Sequence, residues 1–346
     1  MLLTPLIRAL HQRFGQPVDL VSSGPWTVPL LQGQPGVGEI FLIKSRRTPF
    51  WLSPRQRALA KWLRARGAGP TWFCDPGSVG RNLLRRGGIP DSLVCEDSAF
   101  AWIAGEHFVD RWLRFAQQTP PGLLSGSAGV DANRQSTRDV GAGNVADVPR
   151  AAVLEIQPAM RARLEPWLTR HGLAGRSLML IQAGNKRTMR RGSRQRVTNT
   201  KYWPEENWAA VIRALRAERP DHAIVLLGVP AESALNNEIA QLSGVSDVHN
   251  VADDLPIHIL LPLLERASSM VSVDTGPAHA SAALGCPSVV LFGTSDPRLY
   301  RPGGVTTPAI ALTGMVDGKP SMLGIDVASV VNAWKQLLAG AASARS

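Results

Sequence analysis

The sequence is poor in cysteine and has no apolar run of membrane-spanning length. Cys74, Cys95 and Cys286 are the only cysteines in 346 residues. They are far apart and odd in number, form no metal-ligand pattern, and make a reducing cytoplasm the expected compartment. No stretch approaches the ~20 apolar residues that span a bilayer. Residues 1–10 are apolar but interrupted by Arg8, and they lack the basic start and small-residue cleavage site of a signal peptide. Gly-x-Gly-x-x-Gly follows no predicted strand, which counts against a dinucleotide dehydrogenase. No Asp-x-Asp metal pair occurs, and Asp253 and Asp254 are merely adjacent. No nucleic-acid-binding module is recognisable, so nucleic acid is not an expected partner.

What is present is a globular composition, 44% apolar and 19% charged, with a net charge of +11. Such a balance favours polyanionic partners, such as a phosphorylated glycan or anionic lipid. A soluble protein that simply uses Arg freely is the open alternative. The length suits two ordinary domains.

Apolar runs and helical periods alternate along the chain. In the first half, helices are predicted over 2–14, 26–32, 53–66 and 80–86, with strands over 18–21, 40–43 and 71–74. Residues 119–149 are rich in Gly, Ser, Ala, Asn and Asp, without apolar period, and read as a flexible loop. A helix over 158–171 leads out of the first half. The second half has strands over 177–182, 223–227, 270–273 and 288–292. Its helices fall over 204–218, 231–242, 258–265, 278–284 and 326–338. Alternation of this kind predicts α/β architecture with parallel sheets covered on both faces.

The segment from Val271 to Gly285 carries the most chemistry. An apolar strand ends at Asp274, Thr275-Gly276 makes a tight turn, and Pro277 suits the first position of a helix. His279 lies on that helix's first turn. Amides at a helix start have no internal partners, so with the helix dipole they form an anion site at the carboxyl edge of a sheet. Gly276 lets a phosphate approach the backbone. An ordinary capped helix would explain Asp274 and Thr275, but not His279 beside them. Downstream, Leu291-Phe292-Gly293-Thr294-Ser295 closes another strand with a turn of hydroxyl-bearing residues.

These segments resemble the signature of glycosyltransferase family 9, the bacterial ADP-heptose:lipopolysaccharide heptosyltransferases. The resemblance rests on Asp274-Thr275-Gly276, His279, Gly285-Cys286-Pro287 and Leu291-Phe292-Gly293-Thr294-Ser295. Ala183-Gly184-Asn185 is similar to the family's phosphate loop after a strand. Lys201-Tyr202-Trp203-Pro204 is similar to its Lys-x-Trp-Pro. Leu226-Leu227-Gly228-Val229-Pro230-Ala231-Glu232 is similar to its Leu-Gly-Gly-x-x-Glu.

The resemblance implies a GT-B architecture, with two Rossmann-like doubly wound domains facing across a cleft. The expected division is 1–165 for the acceptor side, 172–325 for the nucleotide-sugar side, and 326–346 as terminal helix and tail. It further implies inverting transfer of a heptose-type sugar from ADP-heptose to an anionic lipopolysaccharide core, at the inner face of the inner membrane. The expected donor-binding residues are Gly184, Asn185, Lys201, Glu232, Asp274, Thr275, Gly276, His279 and Thr294. Lys201 would neutralise the diphosphate, and Glu232 would accept from ribose hydroxyls. No cofactor or metal is obligatory in this scheme, because cations and helix N-termini stabilise a leaving diphosphate.

The chain departs from the family in two places. Residues 4–14 resemble the family's first helix. There it follows a strand and a Gly-Asp pair whose Asp is taken as the general base for the acceptor hydroxyl, and that pair is absent here. Inverting transfer needs such a base, so either the strand and its Gly-Asp pair lie upstream of Met1, or another carboxylate serves, or catalysis is lost. Asp75, at a strand end, is a weak candidate, with a turn-starting Asp as its plain reading. A homologue that binds nucleotide-sugar or glycan but is catalytically impaired is therefore the alternative. The second departure is a long basic insert, 186–196, expected either to clamp phosphates or to be a solvated loop. Two further segments, 50–66 and Arg111-Trp112-Leu113-Arg114, are either contacts for the membrane face or core packing with solvated Arg.

Overall fold

The computed structural model describes residues 2–43, 48–75, 78–124, 147–185, 199–305 and 309–343. Two compact units result: Leu3–Arg150, and Ala151–Ser346 with the first two residues. The basic insert 186–196 and most of the expected loop 119–149 lie outside the described residues.

The N-terminal unit starts with α1 (Thr4–Phe14). Pro5 sits in its first turn, and Gly15 closes it at a left-handed φ of 64°, a conformation glycine adopts without a Cβ clash. Strands β1 (Val18–Ser22) and β2 (Val37–Leu42) pair in parallel across the short helix α2 (Thr27–Leu31). Helix α3 (Pro54–Arg66) is capped by Ser53, whose Oγ accepts from the Gln56 amide at 3.3 Å. Strand β3 (Thr71–Phe73), helix α4 (Ser78–Arg86) and strand β4 (Val94–Glu96) form a second parallel pair. The two pairs share no ladder among the described residues. Ile43, Leu59, Leu63, Leu83, Leu84, Ile89 and Val94 pack together as a core. The unit continues through α5 (Phe108–Ala116) and α6 (Pro121–Leu124), the latter inside the segment expected to be loop.

The basic stretch of α5 is core, not surface. Arg111 is fully buried and pairs with Asp97, while its guanidinium also donates to the Ala101 carbonyl at 3.1 Å. It lies over the Trp102 ring at 4.0 Å. A buried guanidinium is tolerable only with such partners. Arg114 is likewise held by Glu106 at 2.6 Å.

In the C-terminal unit, six parallel strands run in the order β10-β9-β8-β5-β6-β7. They are β5 (Leu178–Gln182), β6 (Ala223–Leu226), β7 (Val248–Asn250), β8 (Ser269–Val273), β9 (Ser288–Phe292) and β10 (Ala309–Thr313). Every residue of β5, β6, β8 and β9 is buried, as expected of parallel strands covered on both faces. The covering helices are α7 (Pro158–Arg170), α8 (Glu205–Glu218), α9 (Ser233–Ser243), α10 (Ile257–Arg266), α11 (Gly276–Ala283) and α13 (Val327–Ser343). A short α12 (Pro297–Tyr300) and a small hairpin, β11 (Met315–Val316) and β12 (Lys319–Pro320), complete the unit.

Two boundaries differ from the sequence expectation. The division falls after Arg150 rather than at 165, because α7 packs with the C-terminal unit. There Trp167 Nε1 donates to the Asp254 carbonyl at 2.7 Å, and Arg161 pairs with Glu265 at 2.7 Å. The terminal helix is also part of this unit rather than an appendage. Trp334 is buried, and its Nε1 donates to Ser269 Oγ on β8 at 2.9 Å.

Candidate functional site

The strand order fixes where a ligand fits. The chain leaves β5 for β6 and β7 on one side, then crosses to β8 and β9 on the other. The reversal falls between β5 and β8, where Gln182 pairs with Ser272. Loops leaving the carboxyl ends of these two strands diverge to opposite faces and open a crevice, the usual ligand position in open α/β sheets. The loop after β5 carries Gly184 and Asn185. The loop after β8 carries Asp274, Thr275 and Gly276.

The structure joins Lys201, Asp274 and His279 in one cluster. Lys201 Nζ donates to the Asp274 carbonyl at 2.7 Å and to its Oδ2 at 2.6 Å. His279 Nε2 stands 3.5 Å from Oδ1 of the same carboxylate. Burial pushes the Asp274 carboxyl up. Hydrogen bonds and charge from His279 and Lys201 outweigh that, so it stays below the ordinary carboxylate value. The other imidazole nitrogen, His279 Nδ1, is buried and has no hydrogen-bond partner among the described residues.

Helix α11 begins at Gly276 with Pro277 in its first turn, and Thr275 makes no side-chain cap. Thr275 Oγ1 instead donates to the Val273 carbonyl at 3.2 Å. A Cβ built on Gly276 would meet nothing within 4 Å, so the helix start borders open space. Ala278, Ala280, Ser281 and Ala282 are buried against the sheet. Their small size lets α11 sit close, with its unpaired first-turn amides at the crevice.

The remaining expected residues divide by position. Asn185 is tied to the Lys201 loop, its Nδ2 donating to the Lys201 carbonyl at 3.4 Å and its Oδ1 accepting from Asn199 at 3.4 Å. Gly184 and Gly228 flank Glu232, and a Cβ on Gly184 would fall 2.6 Å from Glu232 Oε1. Glu232 is only 4% exposed. Its Oε2 accepts from the Val229 amide at 3.0 Å and lies 3.5 Å from Gln182 Nε2. Burial pushes its carboxyl up despite those two bonds. Thr294 is exposed in the loop after β9. That loop meets the Lys201 loop at Gly293, where an added Cβ would sit 1.8 Å from the Thr200 carbonyl oxygen. Asp75 belongs to the N-terminal unit, two residues past the end of β3.

Two positioning residues escaped the sequence reading. Gln182 Nε2 donates to the Gly184 carbonyl at 2.9 Å and so fixes the loop after β5. Asn199 Oδ1 accepts from the Lys201 amide at 3.2 Å. An Asn two residues before the key Lys was the available signal, since Asn side chains commonly bond the backbone two residues on. Asp253 and Asp254 do not converge: Asp253 accepts from Ser233 at 2.7 Å, and Asp254 faces His171 at 3.1 Å.

Comparison with known proteins identifies what the chain resembles. The model of glycosyltransferase family 9 (heptosyltransferase) matches residues 184–314. Lipopolysaccharide heptosyltransferase 3 of Escherichia coli is 35% identical over 104 residues, 30% of this chain and 30% of that protein. Lipopolysaccharide heptosyltransferase 1 of Salmonella typhimurium is 34% identical over 104 residues, covering 29% of this chain and 30% of that protein. The match thus spans under a third of these relatives. Similarity of fold extends further. A family 9 glycosyl transferase from Veillonella parvula superposes with a TM-score of 0.74 at 17% identity, over 98% of this chain and 93% of that one. E. coli ADP-heptose lps heptosyltransferase II gives 0.67 at 18% identity, over 98% and 95%. E. coli heptosyltransferase WaaC with ADP gives 0.60 at 18% identity, over 96% and 94%. Residues 184–314 are therefore similar to glycosyltransferase family 9 (heptosyltransferase), carried on an α/β chain whose fold is that of the GT-B heptosyltransferases.

Proposed function

We propose that this protein is an inverting glycosyltransferase that moves a heptose-type sugar from ADP-heptose to an anionic lipopolysaccharide core acceptor. The observation that carries the reading is the Lys201–Asp274–His279 cluster beside the start of α11, at the reversal of strand order. A leaving nucleoside diphosphate gathers negative charge in the transition state, and preorganised cations and amides aimed there lower the barrier. Lys201, the first amides of α11 at Gly276, His279, and the hydroxyls of Thr275 and Thr294 are the donor grip. Asn185 and Gly184 shape the loop on the other side, and Glu232 stands behind it toward the ribose. No metal or other cofactor enters this scheme. Among the described residues no helix is long and apolar enough to cross a membrane. The acceptor, a membrane-borne glycan, is met at the inner face of the inner membrane.

The test is direct. ADP-heptose and a heptose-deficient core acceptor should give transfer with inversion at the anomeric carbon. Lys201→Ala and His279→Ala should each weaken ADP binding in calorimetry by about ten- to a hundredfold, the usual worth of a hydrogen bond to a charged group. Unchanged ADP affinity in both variants would remove these residues from the site. Binding without any consumption of ADP-heptose would remove the transferase activity.

A further inference from the structure

The N-terminal unit carries a surface that the donor site leaves unexplained. Trp51 is 72% exposed and Leu52 55% exposed, side by side in the short turn just before α3. Single exposed apolar side chains are ordinary, but a neighbouring Trp and Leu, both more than half exposed on one turn, form a contiguous apolar tip suited to an apolar contact. Phe50, the third member of the turn, is covered by the Arg86 guanidinium at 4.4 Å. The Arg57 guanidinium donates to the Trp51 carbonyl, which braces the turn with both apolar side chains outward.

The charge beside this pair is of one sign. From Ile40 to Cys74 the sequence contains no Asp or Glu. Helix α3 buries Gln56, Leu59, Ala60 and Leu63 on its inner face. Arg57, Lys61 and Arg64, spaced i, i+4 and i+7, share the outer face, and all three are exposed. Arg66 is neutralised by Asp19 at 2.7 Å and by Glu39 at 2.5 Å. Among the described residues, neither Arg57 nor Lys61 pairs with a carboxylate. An apolar aromatic tip with unneutralised cations one helical turn behind it matches an anionic bilayer. The indole and leucine enter the headgroup boundary while the cations meet lipid phosphates. Trp102 and Ile103, also exposed, lack this charge: Arg111 is paired with Asp97 and Arg114 with Glu106.

We propose that Trp51 and Leu52, with Arg57 and Lys61, form a docking surface for an anionic phospholipid bilayer. The surface is independent of the donor grip, so its test and that of the transferase reading fail separately. The full-length protein should co-sediment with phosphatidylcholine vesicles containing about one-third phosphatidylglycerol, and not with pure phosphatidylcholine vesicles. Binding should weaken as salt rises. With each cation near an anionic surface contributing about fivefold, the Arg57→Gln, Lys61→Gln double variant should partition about thirtyfold more weakly. Trp51→Ser should also weaken partitioning, by about tenfold or more, and should remove the blue shift of tryptophan emission on vesicle addition. Unaltered far-UV circular dichroism and ADP affinity in each variant establish that the fold is intact. Equal binding to both vesicle types, no binding to either, or full binding by Trp51→Ser overturns the proposal. Tighter capture by a DNA duplex than by anionic vesicles, lost in the double variant but kept in Trp51→Ser, overturns it in favour of a general polyanion site.

Discussion

Asp247 takes a left-handed backbone conformation, φ 63°, where Asn and Asp are the tolerated exceptions to glycine. From there its carboxylate accepts from Arg176 at 2.6 Å and meets His249 at 2.8 Å and Arg216 at 3.4 Å. The bond from Arg176 is the main reason its pKa falls to about 2, against burial and with help from His249. A carboxyl depressed in the folded state contributes stability that is complete above its unfolded value and disappears as pH falls through its folded one. Asp247→Asn keeps the shape and tolerates the backbone. It should therefore cost about 2 kcal/mol in urea unfolding at pH 7, and progressively less from pH 4 down to pH 2. A constant cost across that range would show that the charge is irrelevant. At this scale the sequence was informative about residue identity and silent about partnership. Asp274 and His279 stood out by pattern, and Lys201 by its likeness to the family's Lys-x-Trp-Pro. That one carboxylate meets both the Lys201 ammonium and the His279 ring depends on a close approach between residues 201 and 274, which no local spacing encodes. Gln182 acts through a backbone bond that nothing in its residue type announces, whereas Asn199 carried a local signal in its spacing from Lys201.

Among the elements, the loops after β5 and β9 are held together by the near-contact of Gly293 with the Thr200 carbonyl. Gly293→Ala places a methyl where that oxygen already is. The expected result is a loss of about 1–3 kcal/mol, typical of overpacking, with weaker ADP binding as the Lys201 loop moves. Thermal melts with and without ADP check both effects. An unchanged melting temperature would mean that the loop yields freely. Strands β5, β6, β8 and β9 were legible because both their faces are buried, leaving continuous apolar runs bounded by turn residues. Strands β4 and β7 are three residues long, Val94-Cys95-Glu96 and Val248-His249-Asn250, too short to show any period. Helix α5 was hidden for a different reason. Its buried Arg111 occupies a position that pattern reading assigns to solvent, and only Asp97 with the carbonyls around it makes that burial tolerable.

For the molecule as a whole, the alternation of strands and helices was enough to predict α/β architecture. Strand order was not legible, since adjacency in the sheet depends on crossovers rather than composition. With the order known, the reversal between β5 and β8 gathers segments from 182 to 294 around one crevice, all within one unit. The fragment 151–346 carries the whole six-stranded sheet and its core, from Met179 to Leu337. It should fold alone and bind ADP within about tenfold of the full chain, a difference of about 1.4 kcal/mol, while losing transfer. Loss of ADP binding by a folded fragment would place an essential donor contact in the other unit. The two hydrogen bonds from Lys201 to Asp274 have a final consequence. An ammonium has three N–H donors, and two are already engaged. On the proposed reading, an arriving oxyanion therefore finds one N–H left on that side chain, and the rest of its hold must come from elsewhere in the crevice.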